Sequence, residues 1–179
     1  GISWGEGCFT GIGSVSFNLV KHCNYGVKLV LHGTCNVTGN VIINCTNNGG
    51  IISVGTSSGS YPTFGVSQRN LISGNHIINC SLGIDSTSQF DVIQGNHILY
   101  LKDTENPSAK TEPDAIWDIK TGVGVLLRGD FQVCNGNTIR GCQYGVAVKI
   151  GTTINTMASN TITDSTIAPF NYLSKRGGG

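Results

Sequence analysis

Gly39-Asn40-Val41-Ile42-Ile43-Asn44-Cys45 is the stretch that decides the fold, because the chain returns to it again and again. Gly74-Asn75-His76-Ile77-Ile78-Asn79-Cys80 repeats it almost letter for letter. Taken together, the full and partial copies contain six anchor asparagines: Asn18, Asn40, Asn75, Asn96, Asn137 and Asn160. The steps between them are 22, 35, 21, 41 and 23 residues, so the basic period is about 22 with two insertions. A fixed period of this size predicts a solenoid of stacked repeats.

The repeats are predicted to be strands, since they are short β-branched alternations broken by Gly and Asn rather than long helical stripes. Adjacent strands lie about 4.8 Å apart, so equivalent residues of successive coils lie directly above one another. The anchor asparagines should therefore form a ladder at a turn, where their amides hydrogen-bond along the stack and Asn accepts a left-handed backbone.

The recurring Gly-Asn-x-Ile, the small residue after it and the Gly-Ile/Val strand resemble the parallel β-helix repeat of the pectate-lyase-like superfamily. The resemblance implies an all-β, right-handed parallel β-helix of about six coils, most similar to a bacteriophage tailspike or depolymerase domain. We expect a lead-in at 1–13, the β-helix at 14–170 and a flexible tail at 171–179. The resemblance also implies a complex or acidic polysaccharide as ligand and a homotrimer, with sites that form between subunits.

Composition limits the classes of function. The net charge is +1 and no Lys/Arg run is interleaved with aromatic residues, so we expect no nucleic-acid partner. No apolar run approaches the roughly 18 residues that a membrane helix needs, so we expect no membrane insertion. No cofactor or metal site is expected, because no Cys-x-x-Cys spacing is present and His76 and His97 should form a stacked surface pair.

The cysteines indicate a compartment. Cys23, Cys45, Cys80 and Cys142 hold the same repeat position, where we expect free, buried thiols that pack as small hydrophobic groups. Unpaired core thiols suit a reducing environment. A phage protein that folds in the bacterial cytosol and then functions in the virion tail or outside the cell fits this pattern.

The second insertion carries the largest concentration of acidic residues. It lies between Leu101 and Gly122 and holds five of the ten Asp and Glu residues in the chain, and we call it the acidic loop. The insertion contains three candidate catalytic residues, Glu112, Asp114 and Asp118. It also contains Trp117, which is a candidate for stacking on a sugar ring. Insertions of a solenoid commonly form its binding side.

Glycoside hydrolysis needs two carboxyl groups, roughly 5 to 9.5 Å apart. Asp85 is the candidate partner outside the acidic loop, because Gly83-Ile84-Asp85 aligns with Gly122-Val123-Gly124 and thus places Asp85 one strand below the loop junction. Lys28 and Arg128 are candidate ligands of a sugar carboxylate, and Tyr61 in the first insertion is a further substrate-binding candidate.

Three functions remain open. The first is a tailspike-like β-helix that binds and hydrolyses a bacterial surface polysaccharide, either capsule or O-antigen, with paired carboxylates. The second is a lyase or epimerase of the pectate-lyase type, which commonly needs Ca²⁺, and the sequence lacks clustered Asp residues on one strand to hold it. The third is a non-catalytic carbohydrate-binding or structural module, which six coils would suit.

Overall fold

The computed structural model describes residues 1–4, 12–30, 34–46, 49–54, 69–100, 122–149 and 155–173. These residues form nineteen strands, numbered β1 to β19 in chain order. The described part contains no helix, and so none that is long and apolar enough to cross a membrane.

The strands form three sheets whose pairings are all parallel in the described part of the chain. Sheet 1 contains β1 (Ile2–Trp4), β4 (Tyr25–Val30), β7 (Gly49–Val54), β10 (Ile84–Ser86), β13 (Val123–Leu127), β16 (Tyr144–Lys149) and β19 (Ala168–Leu173). Sheet 2 contains β2 (Ile12–Ser16), β5 (Thr34–Thr38), β8 (Leu71–Ser73), β11 (Val92–Gln94), β14 (Val133–Asn135) and β17 (Thr156–Ala158). Sheet 3 contains β3 (Leu19–Lys21), β6 (Val41–Ile43), β9 (His76–Ile78), β12 (His97–Leu99), β15 (Thr138–Arg140) and β18 (Thr161–Thr163).

The chain visits sheet 2, then sheet 3, then sheet 1, and repeats this path through six coils, with β1 ahead of the first. Each strand pairs with the equivalent strand of the next coil, as β9 does with β12 in the register Ile77 to Ile98. The predicted parallel β-helix is thereby confirmed. Its three corners are named below the Asn corner (sheet 2 to 3), the Cys corner (sheet 3 to 1) and the third corner (sheet 1 to 2).

The core lies between the three sheets and consists of stacked aliphatic columns. The central residue of each sheet 3 strand in coils two to five is an isoleucine with no exposed surface: Ile42, Ile77, Ile98 and Ile139. Burying such a side chain contributes about 1.5–3 kcal/mol. Because no single coil can cover its own column, the stacking of coils supplies the core.

The predicted Asn ladder runs through the Asn corner. The Oδ1 atom of Asn96 accepts from the Asn75 backbone N–H at 3.0 Å and from Asn75 Nδ2 at 2.9 Å, while its own Nδ2 donates to Asn137 Oδ1 at 2.9 Å. The same pattern joins all six anchor residues, from Asn18 to Asn160. The amide group suits this place because it donates and accepts at once along the stack.

One detail of the Asn corner differs from expectation. The left-handed backbone lies at the residue before each asparagine, as at Gly74 with φ 62° and Ser159 with φ 53°. The asparagines themselves are not left-handed. The ladder bonds therefore select Asn at this place, and its tolerance of positive φ plays no part.

Cys45, Cys80 and Cys142 are buried at the Cys corner, and Cys23 is partly buried. All six cysteines of the described part are free thiols, so the prediction of free, buried thiols is confirmed for Cys45, Cys80 and Cys142, while Cys23 is free but only partly buried. Cys8 lies outside the described residues.

The register of sheet 1 corrects the alignment drawn from the sequence. Gly83 lies beside Gly124, because a Cβ atom on Gly83 would come within 2.2 Å of the Gly124 carbonyl oxygen. Asp85 consequently pairs with Leu126 and not with Gly124. In this coil the glycine of the repeat is therefore Gly124 and not Gly122. Neighbouring coils approach so closely at this position that no side chain fits.

Candidate functional site

Asp85 and Arg128, proposed from the sequence for separate roles, form an ion pair on the outer side of sheet 1. Arg128 Nε donates to Asp85 Oδ1 at 2.9 Å, and Arg128 Nη2 donates to Asp85 Oδ2. The Asp85 side chain is 14% exposed and that of Arg128 is 24% exposed. This two-point geometry is the arrangement in which guanidinium and carboxylate interact most strongly.

The pair narrows the chemical roles open to Asp85. A general acid must carry a proton before it acts. Both oxygens of Asp85 instead face guanidinium N–H groups, which is the environment of an ionised carboxylate. Asp85 therefore fits the role of base, nucleophile or anchoring group, and the proton donor of a hydrolase would have to be another residue.

An apolar cluster lies on one side of the pair, beginning at the strand neighbour of Asp85. Leu82, Val123, Leu126 and Ala147 form a buried cluster separate from the core, with Tyr144 packed against it. Leu126 is the strand neighbour of Asp85 and has 1% of its surface exposed. An ion pair beside such a surface is less screened by water than an exposed pair.

Lys28, another substrate-binding candidate, lies on the outward column of Asp85 but not beside it. Lys28 pairs with Ile52, and Ile52 pairs with Asp85, so two strand spacings, about 10 Å, separate the backbones of the two candidates. The structure brings Asp85 together with Arg128 and leaves Lys28 two coils away.

The remaining candidates, Glu112, Asp114, Trp117, Asp118 and Tyr61, lie outside the described residues. The corrected register does change where the acidic loop rejoins the sheet relative to Asp85. The loop ends before Gly122, whereas Asp85 lies beside Leu126, four residues or about 13 Å farther along the extended chain. The expectation that Asp85 lies one strand below the junction was therefore wrong.

A row of three side chains at the third corner was missed from the sequence. The rings of Phe90 and Phe131 stack with centroids 5.1 Å apart and an interplanar angle of 9°. The Arg69 guanidinium lies 5.7 Å from the Phe90 centroid. No carboxylate of the described residues pairs with Arg69. We call Arg69, Phe90 and Phe131 the aromatic corner.

The aromatic corner is conformationally unusual. Phe90 and Phe131 have φ angles of 60° and 56°, a left-handed region that bulky residues seldom adopt. Phe131 is nevertheless 40% exposed, so burial alone does not account for an aromatic residue there. Arg128 is three residues from Phe131, so their Cα atoms lie at most about 11 Å apart, and the ion pair therefore lies close to the aromatic corner.

A buried polar network fixes the backbone beneath this corner. Asp91, with no exposed surface, accepts from the Asn70 backbone N–H at 3.1 Å, from Asn70 Nδ2 at 2.9 Å and from Ser86 Oγ at 2.6 Å. Loss of solvent raises the pKa of Asp91, and these donors offset part of the rise. Gln132 donates to the carbonyl groups of Ser86 and Ser88. The network positions Phe90 and Phe131, which directly precede Asp91 and Gln132.

The sequence did contain a signal for this corner. Asn70, Asp91, Gln132 and Asn155 each stand five residues before an anchor asparagine, and hydrogen bonds join Asn70 to Asp91 and Gln132 to Asn155. The three residues of the aromatic corner each stand six residues before an anchor asparagine. The signal was weak because the residue types differ from coil to coil.

Two other surface groups were found at the remaining corners. His76 and His97 stack as predicted, with ring centroids 4.9 Å apart and an interplanar angle of 4°. At the Cys corner, Arg140 lies over Tyr100 and pairs with Asp164 at 2.7 Å, in an exposed position. Among the described residues, no group of three or more His, Cys, Asp or Glu side chains is placed to hold a metal ion.

Comparisons of the chain with protein-family models, with curated proteins and with solved structures gave no match.

Proposed function

We propose that this β-helix is a tailspike-like protein that binds and hydrolyses a bacterial surface polysaccharide. The observation that carries the proposal is the closeness of the aromatic corner to the Asp85–Arg128 pair. The exposed ring of Phe131 can contact the apolar face of a sugar ring, and Arg69, which pairs with no carboxylate of the described residues, can pair with a carboxylate of the glycan. We expect these groups together to orient a glycan chain.

In the proposed reaction, Asp85 is the ionised carboxylate and acts as base or nucleophile. A residue of the acidic loop, with Asp114 the first candidate, donates a proton to the leaving oxygen. Arg128 holds Asp85 in place and keeps it charged. Arg69, Phe90 and Phe131 position the glycan beside this pair. A homotrimer and a place in the virion tail belong to the same proposal, because the resemblance implies them.

A second candidate function is glycan binding without cleavage. It is favoured by the ion pair itself, since Arg128 occupies both oxygens of Asp85 and substrate would have to displace at least one of these bonds. In that case Asp85 serves to hold Arg128, and the surface only recognises the glycan. A lyase of the pectate-lyase type is the third possibility.

Release of reducing ends from purified capsular and lipopolysaccharide glycans of several bacteria separates these functions. We expect wild type to release them, and Asp85→Asn and Asp114→Asn to lose the activity at least a hundredfold. Asp164→Asn is the matched control, because it removes an exposed ion pair with Arg140 at another corner and should leave activity unchanged.

The products distinguish the alternatives. An unsaturated product that absorbs in the ultraviolet indicates a lyase. A glycan that is bound but releases no reducing ends indicates the binding function. Neither binding nor release from any glycan of the panel, by a folded protein, contradicts the proposal.

A further inference from the structure

We propose that Cys23 and Cys45 are an oxidation site, at which a low-molecular-weight disulfide converts two thiols of adjacent coils into an intramolecular disulfide. The inference is independent of the proposed glycan chemistry. It rests on the geometry of the Cys corner and on the difference in solvent access between the two thiols.

Successive thiols of this corner share one orientation. Cys23 Sγ donates to the Lys21 carbonyl at 3.2 Å, and Cys45 Sγ donates to the Ile43 carbonyl at 3.8 Å, in each case two residues back along the chain. Lys21 and Ile43 are register partners of neighbouring coils. The Cα atoms of Cys23 and Cys45 are thus one strand spacing apart, about 4.8 Å. This lies within the range of about 4.4–6.8 Å in which a disulfide forms.

Another pair of coils gives a direct measure of the distance between side chains at this corner. Cys142 Sγ and Ser165 Oγ occupy the same places in coils five and six and are 3.7 Å apart. Side-chain atoms of neighbouring coils therefore meet here in van der Waals contact. Rotation about χ1, together with a small approach of the two Cβ atoms to the roughly 3.5–4.5 Å of a disulfide, brings two such sulfurs to bonding distance.

Solvent access makes Cys23 the first thiol to react. Cys23 is partly exposed, whereas Cys45 and Cys80 have no exposed surface. Burial raises the pKa of Cys45, and it raises that of Cys80 to about 12, so neither forms the reactive thiolate readily at neutral pH.

The chemistry balances with glutathione disulfide as oxidant. The Cys23 thiolate attacks one sulfur of the oxidant, which breaks its S–S bond, forms a mixed disulfide and releases one glutathione thiolate that takes up a proton. Cys45 then loses its proton, attacks the Cys23 sulfur and releases the second glutathione. Two protein thiols are oxidised, and one glutathione disulfide is reduced to two thiols. The product links coil one to coil two.

Peptide mass mapping of the whole, folded chain after incubation with glutathione disulfide tests the proposal. We expect a linked pair of peptides that contain Cys23 and Cys45, which dithiothreitol separates again. Cys45→Ser should stop the reaction at a glutathione adduct of Cys23, and serine is tolerated at this place because Ser165 holds it in coil six. Cys134→Ser, a buried thiol of sheet 2, is the matched control and should leave the Cys23–Cys45 link unchanged.

Three outcomes overturn the proposal. One is a wild-type protein in which the Cys23 adduct persists while Cys45 stays free. The others are linkage of Cys23 to Cys8 in place of Cys45, and linkage of Cys45 to Cys80 with Cys23 unmodified.

Discussion

Removal of one interior amide of the Asn ladder should destabilise the protein far more than removal of a terminal one. Asn96 has no exposed surface and uses its side chain in four hydrogen bonds. Its Oδ1 accepts two from Asn75, and its Nδ2 donates to the Ile72 carbonyl and to Asn137 Oδ1, all at 2.9–3.0 Å. Asn96→Ala removes all four at once.

The magnitude follows from these four bonds. A buried hydrogen bond contributes about 1 kcal/mol net to the free energy of unfolding, so Asn96→Ala should lower it by about 4 kcal/mol. Asn18 is the matched control at the first coil. Its side chain makes two hydrogen bonds, to the Ser16 carbonyl and to Asn40 Oδ1, in a part-exposed place where water can replace them. Asn18→Ala should therefore cost about 1 kcal/mol.

Urea unfolding followed by far-ultraviolet circular dichroism measures both variants. The linear dependence of the unfolding free energy on urea gives each stability, and an unchanged slope confirms that the same surface is exposed. The reasoning is refuted if Asn96→Ala costs no more than Asn18→Ala, because the interior ladder would then contribute no more than its end.

Three further changes test other parts of the structure. Folding raises the pKa of Asp91 above its ordinary 3.8, so the stability of the wild type should fall as pH rises from about 4 through the folded-state pKa. Thermal unfolding midpoints measured between pH 4 and 8 should show this fall in the wild type and a smaller one in Asp91→Asn. Arg128→Leu should lower stability by about 2 kcal/mol in urea, because it removes two charge-assisted hydrogen bonds to a part-buried carboxylate, and the same change should cost much less in an Asp85→Leu background. Gly83→Ala should lower the free energy of unfolding by several kcal/mol, since its Cβ atom would lie 2.2 Å from the Gly124 oxygen. The control Gly95→Ala places its Cβ atom more than 4 Å from any other atom and should cost about 1 kcal/mol for its φ of 61°. Equal losses of the two variants on thermal unfolding would contradict the register.

The solenoid could be predicted from the sequence because each ladder position is chemically constrained. A residue that must donate and accept along the stack is Asn in all six coils, and the central place of sheet 3 is isoleucine in the five consecutive coils two to six. The stacked pair of His76 and His97 follows from the same rule, since a fixed period places equal residues one strand apart.

The register after the second insertion was harder to predict, because Gly122 and Gly124 both fit the repeat. The structure selects Gly124, because the backbone of Gly83 lies so close to the Gly124 carbonyl oxygen that a Cβ atom would not fit between them. That shift of two residues is why Asp85 lies beside Leu126 and can reach Arg128. The aromatic corner was missed for a different reason: its residues stack by the shape of their planar groups and need no common residue type.

Mapping of amide chemical shifts on titration with a glycan tests the central claim most directly. The probe is whichever capsular or lipopolysaccharide glycan the folded protein retains best, cut to short oligosaccharides. The account predicts that the largest shifts fall at the third corner and the end of β13, around Phe90, Arg128 and Phe131, and that Arg69→Ala weakens binding at least tenfold. Shifts that concentrate instead on sheet 3 around His76 and His97, with Arg69→Ala binding as wild type does, would contradict it.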